Sequence, residues 1–184
     1  LSGTTNLANI TFAEGATKLK TLDISNSSIK SARFGQNVGF PNYLDLAQFN
    51  LTLIKFTNNN LIEHIKNLDY TGSGDHTFTN CKNLHTIECK QGGKLKLTGG
   101  LNQTFYSCGK LTGIPSEIDL SASTSSTEAF AGCSKITMEQ AKMIMDSVKN
   151  TGLNSGVHWR FFSGCSGITG QLPDDFFANA QSLT

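Results

Sequence analysis

Charge is scarce in this chain: Asp, Glu, Lys and Arg together make up 16% of its 184 residues, and the formal net charge is +1. No run of Lys and Arg interleaves with aromatics, which argues against a nucleic-acid partner. Long apolar runs are also missing. The longest are a few residues, against the roughly 20 that a membrane-spanning helix needs, so no transmembrane segment is expected. The chain opens Leu1-Ser2-Gly3, without the Met, basic region and apolar stretch of a signal peptide. None of the five cysteines forms a Cys-x-x-Cys pair, which disfavours a zinc ribbon, and their odd number disfavours a complete disulfide framework. His64, His76, His85 and His158 are scattered without metal-ligand spacing, and the pairs Gly92-Gly93 and Gly99-Gly100 fit no phosphate-binding pattern. No cofactor or metal site is expected. Asn9, Asn26, Asn50 and Asn102 each begin an N-x-S/T triplet, about as many as this Asn-, Ser- and Thr-rich composition supplies by chance.

What the chain does have is a repeat. The pattern F-x-x-C-x-x-[LI] occurs at Phe78-Cys81-Leu84, Phe105-Cys108-Leu111, Phe130-Cys133-Ile136 and Phe162-Cys165-Ile168. A degenerate copy, Phe177-Ala180-Leu183, places alanine at the cysteine position, and 16–22 reproduces the second half of the unit with Ala13 where phenylalanine is expected. The phenylalanines step by 27, 25, 32 and 15 residues, mostly within the range of solenoid repeats. The whole chain therefore reads as one repeat array, degenerate over 1–76 and clear over 77–184. Because the last copy breaks off at Thr184, the natural chain is expected to continue.

Irregular steps imply insertions. After Ile136, Thr137 can cap a helix with Gln140 at its third position, while Met138, Ala141, Ile144, Met145 and Val148 share one face. A helix is expected over about 137–150, with Gly152 ending it. Its methionines, Met138, Met143 and Met145, are expected to dock on the core, with an adaptable partner surface as the alternative. Residues 22–24 and 32–34 read as two short extended runs separated by a Ser/Asn turn. The same two-run pattern fits 53–56 and 65–70, where a helical face of Leu61, Ile65 and Leu68 fits as well. Residues 35–52 and 70–76 read as loops, and the two glycine pairs as turns flanking a short strand at 94–97. Asp174-Asp175 is expected to cap a short helical turn containing Phe176 and Phe177.

Residues three apart face the same way on one turn of tight helix, so the repeat reads as a corner after which a strand begins. Such coils bury their apolar side only by stacking. The recurring cysteines have no histidine partner from copy to copy, so Cys81, Cys108, Cys133 and Cys165 are expected to be packing groups rather than nucleophiles, a thiol hydrolase being the disfavoured alternative. Cys89 lies outside the repeat position and is the likeliest of the five to be exposed, though a strand-interior position is favoured for it.

The segments EAFAGCSKIT at 128–137, TFYSCGKLTGIP at 104–115 and FFSGCSGITGQLP at 161–173 resemble the BspA-like leucine-rich repeats of bacterial, protozoal and phage surface proteins. The resemblance covers 77–184 well and 1–76 less well. It implies an α/β, right-handed leucine-rich-repeat solenoid with short parallel strands, and a role in adhesion or recognition without shared catalytic residues. The irregular repeat lengths and the helical insertion at 137–150 depart from that family.

The expected function is non-enzymatic: a cell-surface, extracellular or virion-associated module that binds a protein or glycan through exposed strand positions. The alternative is a structural or assembly part, for example of a phage tail or fibre, whose partners are subunits of the same assembly. Candidate contact residues are His85, Thr86 and Glu88 in one coil, Lys20, Thr21 and Asp23 in another, and Thr112 in a third. Tyr43, Tyr70, Tyr106 and Trp159 are the aromatics suited to a polar boundary, and Arg160 stands beside Trp159 where an insertion rejoins the stack.

Overall fold

The computed structural model describes residues 1–4, 6, 9–12, 21–26, 31–34, 43–47, 51–60, 62–148 and 158–176. Its strands are β1 (Asn9–Phe12), β2 (Thr21–Asp23), β3 (Ser31–Phe34), β4 (Tyr43–Asp45), β5 (Leu53–Lys55), β6 (His64–Leu68), β7 (Tyr70–Ser73), β8 (Thr86–Cys89), β9 (Leu95–Gly100), β10 (Ile118–Thr127) and β11 (His158–Trp159); its helix is α1 (Met138–Ser147). Every pairing among these strands is parallel. One sheet runs β1-β3-β4-β6-β8, a second β11-β10-β9-β7, and β2 pairs with β5. Since parallel neighbours need a crossover, the chain winds as a solenoid, from the first sheet to the second, round a corner and back.

The corner is built from successive turns of three residues. Cys81 N–H donates to the Phe78 carbonyl at 3.2 Å, and Leu84 N–H to the Cys81 carbonyl at 3.0 Å; the next coils repeat this from Phe105, Phe130 and Phe162. The expected tight helix is replaced by reverse turns. The residue before each cysteine has a left-handed φ: 57° at Asn80, 59° at Ser107, 76° at Gly132 and 74° at Gly164. A helix cannot continue through that conformation, which a turn of this kind requires at its third position and which Asn and Gly supply at least cost.

The same geometry brings in a copy that the F-x-x-C pattern does not reach. Phe56 is followed by Asn58 at φ 59°, by buried Asn59 in the cysteine position, and by buried Ile62 and Ile65. FTNNNLIEHI at 56–65 thus parallels FTNCKNLHTI at 78–87. Ile24 and Asn26, with φ 53°, begin the column one coil earlier.

Inside the solenoid the phenylalanines stack. Phe78 and Phe105 lie 4.8 Å apart with rings inclined by 4°, and Phe105 and Phe130 lie 4.8 Å apart at 19°. Phe56 extends the column at 5.5 Å and Phe162 at 5.8 Å. Alongside run Leu84, Leu111 and Ile136, and beside them Ile65, Ile87 and Ile114, all buried. Each coil covers the apolar side of its neighbour, which no coil could do alone.

Several local expectations change. Residues 70–76, read as a loop, contain β7, and Tyr70 is fully buried rather than at a boundary, because its ring fills the space beside Gly72 and its hydroxyl donates to the Ser73 carbonyl at 3.1 Å. The loop reading of 35–52 gives way at β4, whose Leu44 is buried in the core. Strands settle the competition at 53–68, with Ile65 and Leu68 both inward along β6; Leu61 lies outside the described residues. The runs at 22–24 and 32–34 overlap β2 and β3, and the expected strand at 94–97 begins β9, which continues through Gly99-Gly100, the pair read as a turn, because β10 pairs with both glycines. Helix α1 forms with the expected capping box between Thr137 and Gln140, and buries Ala141, Ile144 and Met145. It takes the place of a further strand of the first sheet, and Gln140 donates across to the Thr112 carbonyl. Asp175 pairs with Lys142 of α1 at 3.3 Å, drawing the turn at 174–176 onto the helix. Phe177, Ala180, Leu183 and Gly152 lie outside the described residues.

Candidate binding faces

The cysteine position is occupied by hydrogen-bond donors. Sγ of Cys81, Cys108, Cys133 and Cys165 donates to the carbonyl of Phe56, Phe78, Phe105 and Phe130, one coil back, at 3.0, 3.0, 3.0 and 3.1 Å. Asn59 does the same with its amide, reaching the Ile24 carbonyl at 3.4 Å, while its side-chain oxygen accepts from Ile62 N–H at 3.2 Å. All five cysteines are free thiols. Burial pushes the Cys81 thiol up to about 12 and Cys165 to about 11, and raises Cys108 and Cys133 well above the ordinary thiol value. Groups of this kind are poor nucleophiles at neutral pH.

A pH dependence follows. The unfolded chain loses these protons near pKa 9.0, the folded chain only at higher pH, so between those values the folded state holds more protons and alkali favours unfolding. The contribution is complete below about pH 9 and is lost as pH rises towards about 12, at up to ~1.4 kcal/mol per pH unit for each buried thiol. The urea midpoint is expected to fall steeply above about pH 9, and replacing Cys81 and Cys108 together by serine should flatten that fall. A level midpoint into strong alkali would contradict the account.

Three of the expected contact residues come together on the outer face of the five-stranded sheet. Register aligns Tyr43, His64 and Thr86, and beside them Asp45 with Lys66. His64 Nδ1 and Thr86 Oγ1 share a hydrogen bond of 2.8 Å, and the His85 ring stacks on His64 with centroids 5.9 Å apart. Lys66 Nζ lies 3.9 Å from Glu88, an exposed pair of small energetic weight. Asn67, with φ 55°, bulges the strand and donates to Asp45 at 2.9 Å. Thr112 joins the group one coil later, its N–H donating to the His85 carbonyl at 2.9 Å. The row ends at Gly113, where a Cβ would stand 2.8 Å from the Thr86 methyl.

The other candidates lie elsewhere. Thr21 and Asp23 belong to the β2–β5 pair, and Asp23 accepts from the Ser25 N–H at 3.0 Å, bracing its own turn. Lys20 lies outside the described residues, as do the side chains of Tyr43, Thr21 and Trp159. Arg160 and half-buried Tyr106 sit at the corner. There Gln103, Glu128 and Arg160 occupy successive left-handed positions; Gln103 donates to Glu128 at 2.9 Å, and Arg160 lies 3.6 Å from it. At the neighbouring position Asn58 donates to Asn26 at 2.8 Å and Asn80 to Asn58 at 2.9 Å.

His64, Lys66 and Asp45 were absent from the sequence-based set. The parallel between FTNNNLIEHI and FTNCKNLHTI is the signal that finds the first, since it places His64 opposite Thr86. Cys89 faces inward from β8 but is only half-buried; burial, then the charges of Glu117 and Asp69, push its thiol up to about 12. No helix among the described residues is long and apolar enough to cross a membrane. No protein-family profile, curated protein or solved structure matches the chain.

Proposed function

We propose that the chain is a non-enzymatic recognition module of the BspA-like leucine-rich-repeat kind, which binds a protein or glycan through the outer face of its five-stranded sheet. The observation that carries this reading is the alignment of Asp45, His64, Lys66, Thr86 and Glu88 on consecutive parallel strands backed by buried Leu44, Ile65 and Ile87. Polar groups held on a rigid, core-backed sheet lose little conformational entropy when a ligand settles on them. Its place is then on a cell surface, outside the cell or on a virion.

The test is binding to a glycan array and to intact cells, comparing the parent with the triple substitution His64→Ala, Lys66→Ala and Glu88→Ala. These side chains are partly or fully exposed, so the melting temperature should stay close to that of the parent while binding falls by about tenfold or more. Undiminished binding by a folded triple variant would remove this face from consideration.

A further inference from the structure

Strand β8 ends the five-stranded sheet, and the coil beyond it accompanies it only briefly. β6 pairs with β8 as far as Leu68 and Cys89, whereas the next coil meets β8 at a single bridge between Thr86 and Gly113. The next coil then takes a short path. Leu95 follows Thr86 by nine residues, while Ile118, the partner of Leu95, follows Gly113 by five. Pro115 has no N–H to offer β8, and the chain turns away through Ser116 and Glu117. What remains is a cleft of about 400 Å³ along the β8 edge. Ile87, Ile114 and half-buried Cys89 lie in it, and Glu88 and Glu117 are the charged residues lining it. An inward-facing residue of β8 is half-exposed because no strand covers it: Leu68, its partner in β6, is buried.

We propose that this cleft takes an extended peptide strand carrying Lys or Arg, which pairs with the edge of β8 at Cys89, beyond the Ile87 N–H that already donates to the Gly113 carbonyl. Among the described residues no strand lies beside that part of β8 on the cleft side, and a parallel sheet edge is a template for one more strand. Alternate side chains of such a segment point inward and outward. The inward ones cover Ile87, Ile114 and Cys89, and the outward basic ones meet Glu88 and Glu117. The Lys66–Glu88 pair, at 3.9 Å and partly exposed, is of small energetic weight beside a basic residue of the segment. The inference rests on the recognition reading above but uses the sheet's edge, not its outer face.

The experiment uses the whole chain and a labelled peptide, Ac-Lys-Val-Lys-Val-Lys-Val-NH2, followed by fluorescence anisotropy, with hydrogen exchange measured at the Cys89 amide. The peptide should bind and slow exchange at that amide. N-methylation of every peptide amide should weaken binding by about tenfold or more, and Glu88→Lys with Glu117→Lys should reverse the preference towards Ac-Glu-Val-Glu-Val-Glu-Val-NH2. Absence of binding, indifference to N-methylation or unchanged exchange at Cys89 would overturn the proposal. So would sedimentation of the chain alone as a dimer that the double variant dissociates, which would assign the edge to a second copy. Because Glu88 lines both surfaces, the double variant His64→Ala with Lys66→Ala, which keeps Glu88, is compared as well; it leaves this edge intact, so failure here and failure of the sheet-face reading are read separately.

Discussion

Phe105→Ala is expected to cause the largest loss of stability of any single truncation in the core. The ring is fully buried between Phe78 and Phe130, 4.8 Å from each and nearly parallel to the first. Truncation removes two aromatic contacts and leaves a cavity that stacked coils close poorly, because each coil is held to its neighbours by backbone bonds on both sides. Phe105 N–H, for example, donates to the Ala129 carbonyl at 2.7 Å. A cost of about 3–5 kcal/mol is expected, a large part of the ~5–15 kcal/mol that holds a typical domain. Urea unfolding followed by circular dichroism should show the midpoint collapse or folding fail. Phe162→Ala, at a half-buried ring, should lose distinctly less. A Phe105→Ala chain within about 1 kcal/mol of the parent would mean that the column is not the stabilising element.

Asn59→Ala is expected to come second. Asn59 is fully buried and serves two backbone groups, donating to the Ile24 carbonyl and accepting from the Ile62 N–H. Alanine removes both bonds, each worth about 0.5–1.5 kcal/mol net, or about 1–3 together. Asn59→Cys should recover part of the loss, since a thiol at this position donates to the preceding coil throughout the rest of the solenoid, but it cannot replace the bond to Ile62. The order parent, cysteine, alanine in urea midpoint is the expected result. Cysteine no better than alanine would show that the thiol contacts at the other coils are packing alone.

The repeat spacing made the corner legible, and with it Phe78, Phe105, Phe130, the four buried thiols and the capped helix. What it did not reveal was which side of the pattern mattered. The pattern sets no condition on the residue before each cysteine, Asn80, Ser107, Gly132 or Gly164, yet its left-handed backbone is what turns the chain. Position 59 falls outside the F-x-x-C pattern because an asparagine amide, not a thiol, is the donor there. β7 and β10 are rich in Gly, Ser and Thr, and these residues form strands because a neighbouring coil supplies their hydrogen-bond partners. That support is not a property of local sequence.

The candidate sites divide in the same way. His85, Thr86 and Glu88 were legible as the polar residues between apolar repeat positions. Their company of His64, Lys66 and Asp45 was not, because it depends on register between strands about 22 residues apart. Sequence alone determined that coils form and stack, since a period of apolar residues that no single coil can bury leaves stacking as the way to remove them from water. Only the tertiary structure decided which polar residues share a face and where an edge is left open. Those outcomes depend on how many residues each coil spends between its sheets, and on the single proline that withholds an N–H from β8.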